Sequence, residues 1–200
     1  WALETIGHAP AVLEGFVPFR YEVSVLVVRG LDGRTAFYDV PLNTHKAGIL
    51  DTSAVPSPLP AKHARRAQEI AVRIADALGY VGLLAVEMFY LGEDVADPLV
   101  VNEIAPRVHN SGHWTIDACV VSQFENHIRA VAGWPLGTTK RHSDAVMTNL
   151  IGDDYHGWPQ LAGDPRRRLG IHLYGKNDAR PGRKMGHVTE LTPKTASDAG

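Results

Sequence analysis

The chain has 200 residues, 44% of them hydrophobic and 21% charged, with a formal net charge of −2. This is the composition of an ordinary soluble globular protein, and it excludes nucleic acid or an anionic membrane surface as the main partner. A single cysteine, Cys119, excludes an internal disulfide and suits a reducing cytoplasm, and no apolar run reaches the length of a membrane span.

Taken in order, Trp1 to Ile6 reads as a helix tail stopped by Gly7, with no initiator Met, so the chain reads as a fragment of something longer. Ala11 to Glu14 reads as a short strand ending at Gly15, and Glu14 to Pro18 as an extended connection. Glu22 to Arg29 is almost continuously β-branched or apolar, the pattern of a buried strand. Asp32-Gly33 is a hairpin signal, with Thr35 to Val40 as the returning strand. Asn43 to Ser53 reads as a loop. Pro60 to Leu78 is the strongest helical pattern. Ala67, Ile70, Ala71, Ile74 and Leu78 share one face, and Arg65, Arg66, Glu69, Arg73 and Asp76 form a solvated one. Gly79 ends it.

Val81 to Leu91 and Leu99 to Ile104 read as an antiparallel hairpin joined by a polar loop. Cys119 to Ala132 reads as a second helix with Val120, Phe124, Ile128 and Val131 as its inner stripe, broken by Gly133-Trp134-Pro135. Ala145 to Ile151, Leu169 to Tyr174 and Gly186 to Leu191 read as strands. Arg166 to Arg168 reads as a solvated charge run, and the tail from Thr192 as frayed.

Four constellations carry chemistry. In the hairpin, Glu87 falls opposite Glu103 if Tyr90 lies near residue 100. Two like charges between apolar flanks are destabilising unless a cation lies between them. Mg²⁺ fits, with Asn102 as a neutral oxygen donor. Glu14-Gly15-Phe16-Val17, followed by Glu22, offers backbone groups to a purine edge and a carboxylate to a ribose; spacing alone fits an inter-strand link equally. The loop from Lys176 to Lys184, with Arg180, Pro181, Gly182 and Arg183, suits either a phosphate or solvent. Last, Arg107 suits a small anion, while His109, Asn110 and His113 suit orienting a substrate or moving a proton. There is no cysteine cluster, H-E-x-x-H, G-x-S-x-G, Walker or G-x-G-x-x-G pattern.

Asn102-Glu103-Ile104-Ala105-Pro106-Arg107-Val108-His109-Asn110-Ser111-Gly112-His113-Trp114 closely resembles the signature of the 5-(carboxyamino)imidazole ribonucleotide synthases, ATP-grasp enzymes of purine biosynthesis. So do Glu14 to Phe19, Glu22-Val23-Ser24, Tyr80-Val81-Gly82, Met147 to Gly152 and Arg180 to His187. The resemblance implies an α+β fold: an ATP-grasp lobe over residues 1–137, with a mixed or mainly antiparallel sheet and covering helices, and a small β-rich unit over 138–200. It implies a reaction in which ATP phosphorylates bicarbonate to carboxyphosphate and 5-aminoimidazole ribonucleotide is carboxylated on its exocyclic amine.

Carried over by position, Glu14, Gly15, Phe16 and Val17 would line the adenine pocket, Glu22 would hold the ribose and His45 would contact the nucleotide. Glu87 and Glu103 would bind Mg²⁺ beside Asn102. Arg107, His109 and Asn110 would hold bicarbonate and the aminoimidazole, and Lys176 and Arg183 the ribonucleotide phosphate. The family is typically a homodimer. Its members carry further N-terminal sequence holding half the phosphate clamp, so this stretch alone is expected to be inactive. Another ATP-grasp ligase, or a non-catalytic nucleotide-binding module, remains open as an alternative.

Overall fold

The computed structural model describes residues 1–165 and 168–195. Arg166 and Arg167 of the basic run, and the end of the tail from residue 196, lie outside the described residues. No helix among those described is long and apolar enough to cross a membrane.

Among the described residues, a short α1 (Ala2–Thr5) precedes nine strands and four further α-helices. The strands are β1 (Tyr21–Arg29), β2 (Thr35–Phe37), β3 (Leu42–Lys46), β4 (Ile49–Val55), β5 (Gly82–Tyr90), β6 (Leu99–Ala105), β7 (Ser143–Ile151), β8 (Leu169–Leu173) and β9 (Lys184–Pro193). They form one sheet in the order β6-β5-β1-β3-β4-β7-β9-β8, with β2 on the far end of β1, and every pairing is antiparallel. The fold is α+β.

The alternation expected of strands sorts the core. Val23, Val25 and Val27 of β1, with Leu84, Val86 and Met88 of β5, face α2 (Ala61–Ala77). Ala67, Ala71 and Ala75 of α2 are its buried positions, so small side chains bring the helix close to the sheet, while Leu78 is exposed. Leu26 and Val28, with Leu83 and Ala85, face the opposite side, where Trp114, Ala118 and Ala130 close a second core.

Several expectations are corrected. Ala11 to Glu14 is exposed and pairs with no strand, and Leu13 is fully solvated. The presumed loop Asn43 to Ser53 is the β3–β4 hairpin, turned by Ala47 and Gly48 at φ 49° and 74°. Positive φ at both positions is the two-residue turn that matches strand twist, hidden here because Ala occupies the first position. Thr192 and Pro193, expected to be frayed, pair with Asp144 and Ser143.

The helix expected over Cys119 to Ala132 begins only at Gln123, as α4 (Gln123–Val131); a separate short α3 (Thr115–Ala118) precedes it, and Cys119 between them is extended. Ser122 caps α4, its hydroxyl accepting from Glu125 N–H at 3.3 Å. The expected inner stripe of α4 faces outward: Val120 is 75% exposed and Ile128 61%. Gln123, Asn126 and Ala130 are buried instead. Asn126 earns its place by donating to Tyr38 Oη at 2.8 Å and accepting from Gly137 N–H at 2.8 Å. Asp153 to Pro165, which reads as irregular in the sequence, holds most of a 3₁₀ stretch (Gly152–Gly157) and α5 (Trp158–Ala162).

Candidate active site

β1 and β5 pair with Ser24 opposite Glu87 and Glu22 opposite Phe89, so Glu22, Ser24, Glu87 and Phe89 share one face. β5 and β6 pair with Glu87 opposite Glu103, through a register shift between Glu87 and Met88. From the Tyr90–Leu99 pair a regular ladder would place Glu87 against Asn102. The bulge admits one extra residue and brings Glu103 into line.

The resulting cleft has a volume of about 740 Å³. Glu22, Glu87, Asn102 and Glu103 line it, with His45 from β3 and His109 and Arg107 from the loop after β6. Lys176, Gly182 and Lys184 line it from the loop between β8 and β9 and the start of β9. Phe19 stacks on Phe89 at a centroid distance of 4.4 Å as an apolar wall. Carboxylates and cations therefore share one concavity.

Electrostatics separates the two half-buried carboxylates, Glu87 and Glu22. His109 Nε2 lies 3.1 Å from Glu87 Oε1, and the His109 ring holds the Glu87 carboxyl below its usual range against the effect of burial. Burial pushes Glu22 up, and the charge of Glu87 adds to it, while His45 opposes. His45 Nδ1 lies 2.9 Å from Glu22 Oε2, off the line of a hydrogen bond, and has no bonded partner. Burial lowers Lys184, with Glu87 opposing and Arg107 and Lys176 reinforcing.

Ligand atoms of Glu22, His45 and Glu87 lie within 4.8 Å of one another, with Glu103 across the hairpin from Glu87. The carboxylate oxygens of this donor set fit a hard cation carried with phosphates. A second cluster, Asp117, His172 and His187, is equally compact. There the rings of His172 and His187 stack at 4.5 Å with planes 15° apart, so their lone pairs run parallel instead of converging on one ion. His172 already binds the Asp117 carboxylate at 2.9 Å.

Of the residues expected in the site, Glu22, His45, Glu87, Asn102, Glu103, Arg107, His109 and Lys176 meet in the cleft. Glu14, Gly15, Phe16 and Val17 do not line it, and Phe16 is 92% exposed. Asn110 turns away into a reciprocal amide pair with Asn149, at 3.0 and 2.8 Å. Arg183 donates to the Asp178 carbonyl at 3.1 Å and is not among the lining residues. Lys184, Phe19 and Phe89 are lining residues that sequence reasoning missed. Strand alternation from Glu87 marked Phe89, and nothing in the sequence marked Lys184 beyond its place in a basic run.

An antiparallel sheet presenting convergent carboxylates below a basic loop is chemically suited to a phosphate-bearing ligand and its cation. Residues 1–124 match the ATP-grasp domain, and the chain belongs to that family. Residues 145–198 match the phosphoribosylaminoimidazole carboxylase C-terminal domain. The chain is 52% identical over 194 residues to the N5-carboxyaminoimidazole ribonucleotide synthase of Brucella melitensis, covering 97% of this chain and 52% of that protein. It is 44% identical over 190 residues to the Bacillus subtilis enzyme of the same name, covering 94% of this chain and 48% of that protein.

Among solved structures, the N5-carboxyaminoimidazole ribonucleotide synthetase of Thermus thermophilus aligns at a TM-score of 0.84 and 46% identity, over 96% of this chain and 51% of that one. The Aspergillus clavatus N5-carboxyaminoimidazole synthase, in complex with ADP and 5-aminoimidazole ribonucleotide, aligns at 0.81 and 33%, over 91% and 49%. The chain thus spans about half the length of the relatives it matches.

Proposed function

We propose that the protein to which this chain belongs uses ATP to carboxylate 5-aminoimidazole ribonucleotide with bicarbonate, giving 5-(carboxyamino)imidazole ribonucleotide, ADP and phosphate. One observation carries the reading. Lys176, Gly182 and Lys184, from the segment similar to the carboxylase C-terminal domain, line the same cleft as Glu22, Glu87 and Glu103 of the ATP-grasp segment.

In this reading bicarbonate oxygen attacks the terminal phosphorus of ATP, ADP leaves, and carboxyphosphate forms. The exocyclic amine of the ribonucleotide then takes the carboxyl group and releases phosphate. Glu87 and Glu103, with Asn102, would hold Mg²⁺, which supplies charge neutralisation on the phosphates. Glu22 and His45 would hold the nucleotide. Glu14 to Val17, which do not line the cleft itself, would edge the adenine pocket on the resemblance of their sequence. Arg107 and His109 would orient bicarbonate and the aminoimidazole, with Asn110 supporting them from its pair with Asn149. Lys176 and Lys184, with Arg183 behind them, would hold the ribonucleotide phosphate by charge. A cytoplasmic location and a homodimer belong to the same proposal.

The test is a coupled ADP assay on the full-length protein. ADP release should require both 5-aminoimidazole ribonucleotide and bicarbonate, and Glu103→Gln should lower kcat by about a hundredfold, the scale of losing one stabilising charge. ADP release indifferent to the aminoimidazole would reject the reading in favour of another ATP-grasp ligase. Unchanged turnover in Glu103→Gln would remove the metal assignment.

A further inference from the structure

Behind the cleft runs an unbroken line of buried polar side chains. Ser53 of β4 donates to Asn43 Oδ1 at 2.8 Å, and Asn43 Nδ2 donates to Ser24 Oγ at 3.1 Å. Ser24 Oγ lies 2.7 Å from Ser111 Oγ, which lies 2.9 Å from His109 Nδ1. Ser24, Ser53 and Ser111 have no exposed surface, and Asn43 is 5% exposed. Polar groups are expensive to bury, and four of them in a row between valine-rich strands demand a reason.

The hydrogen-bond directions follow from donor inventory. His109 Nε2 lies 3.1 Å from Glu87 Oε1, a carboxylate oxygen that only accepts, so a ring proton suits Nε2 on that side. His109 Nδ1 accepts from the Ser111 backbone N–H at 3.4 Å, which a protonated nitrogen cannot do. The Ser111 hydroxyl must then donate to Nδ1 and accept from Ser24. Ser24 in turn accepts from Asn43, whose amide orientation Ser53 sets. Every donor points the same way, from Ser53 towards Glu87, and bonds aligned in series polarise one another. The main chain is gripped as well: Gln123 Oε1 accepts from His109 N–H at 3.0 Å, and Gln123 Nε2 donates to His109 O at 2.7 Å.

We propose that Ser24 and Ser111 are positioning residues that hold His109 as its Nε2–H tautomer with the donor aimed into the cleft at Glu87. The effect on turnover rests on reading the cleft as the active site; the tautomer does not. Three strands and the loop after β6 meet in this line, so it also ties the loop carrying Arg107 and His109 to the sheet carrying Glu22 and Glu87.

Two measurements on the full-length protein test it. With ¹⁵N-labelled histidine, His109 should resonate as a single Nε2–H tautomer in the wild type and lose that uniformity in Ser111→Ala. In the coupled ADP assay, Ser111→Ala should lower kcat by about tenfold and Ser24→Ala by about threefold, the range for a partner that orients a site residue, with KM for ATP within about twofold. A wild-type His109 protonated on Nδ1 overturns the proposal without any variant. So does a Ser111→Ala protein that keeps both the tautomer and kcat. A wild-type protein that carries the tautomer but releases no ADP fails the proposed function and leaves the positioning inference standing.

Discussion

Arg141 carries the most consequential charge outside the cleft. It is buried, and its guanidinium donates to Asp144 Oδ1 from two nitrogens, at 2.9 and 3.2 Å, and to Asp39. Burial raises Asp144, but Arg141 and the Thr195 N–H outweigh it and hold the carboxyl low. Arg141→Met should cost about 3–5 kcal/mol in urea unfolding, because it leaves the Asp144 charge buried without its partner. The histidines supply a pH dependence of definite sign. Burial lowers His113 to about 4 and His187 to about 3, so both are neutral when folded. Unfolding frees them to bind protons from about pH 6.5 downwards, and stability present above that pH is lost as it falls towards their folded values. Between pH 6.5 and 5 the loss should be roughly 1–2 kcal/mol per histidine, and His187→Gln should flatten the profile by one share. At this scale the sequence revealed the residues whose alternation on a strand fixed their direction, as with Glu87 and Glu103. It did not reveal Ser24, one serine inside Val23-Ser24-Val25, whose partners come from β3 and the loop after β6. Nor did it show that Asn110 faces Asn149, because the pair joins the loop after β6 to β7 across 39 residues of sequence.

Among the elements, α2 and the β5–β6 hairpin were legible because a single pattern ran their length, whereas α4 was read inside out. Its apolar residues recur at helical spacing, yet the face that packs is the one with Gln123 and Asn126, because His109, Thr115, Tyr38 and Gly137 supply hydrogen bonds that no periodicity records. Stability should follow the bonds. Asn126→Leu should cost about 2–3 kcal/mol, leaving the Gly137 N–H and the Asn126-facing side of Tyr38 Oη unmet. Ile128→Gln, on the exposed face, should stay within about 0.5 kcal/mol. Equal losses in the two variants would restore the apolar stripe as the packed face. The β3–β4 hairpin was missed for a related reason. Ala47 sits at a positive φ that alanine adopts at a cost of about 1 kcal/mol, so the residue types at the turn gave no hint of it. Ala47→Gly should relieve that strain, raising the urea midpoint at unchanged slope.

Across the whole molecule, the two family matches fall on either side of a stretch the sheet does not interrupt. β4 pairs with β7 from Thr52–Thr148 to Val55–Ala145, so strands from the ATP-grasp segment and the C-terminal segment share one ladder. The core is shared too: Ala145 and Met147 pack in one cluster with Leu26, Val28, Tyr38 and Trp114. That continuity matters to the cleft, because Lys176 and Lys184 reach Glu22 and Glu87 only if β7, β9 and the intervening loop are held at a fixed distance from β1 and β5. The structure does this with backbone hydrogen bonds and a common core, without a linker that would let one segment move independently. Removing the Met147 side chain should therefore be felt on both sides of the junction. Met147→Ala leaves a cavity worth about 2–5 kcal/mol beneath β1 and β4 as well as β7. Hydrogen exchange on the full-length protein should show protection falling together in the amides of Val25 to Val28, Ser53 to Val55 and Ala145 to Leu150. A loss confined to β7, β8 and β9 would mean that the C-terminal strands fold as a separate unit, and that the geometry of the basic side of the cleft is set by docking instead of by the sheet.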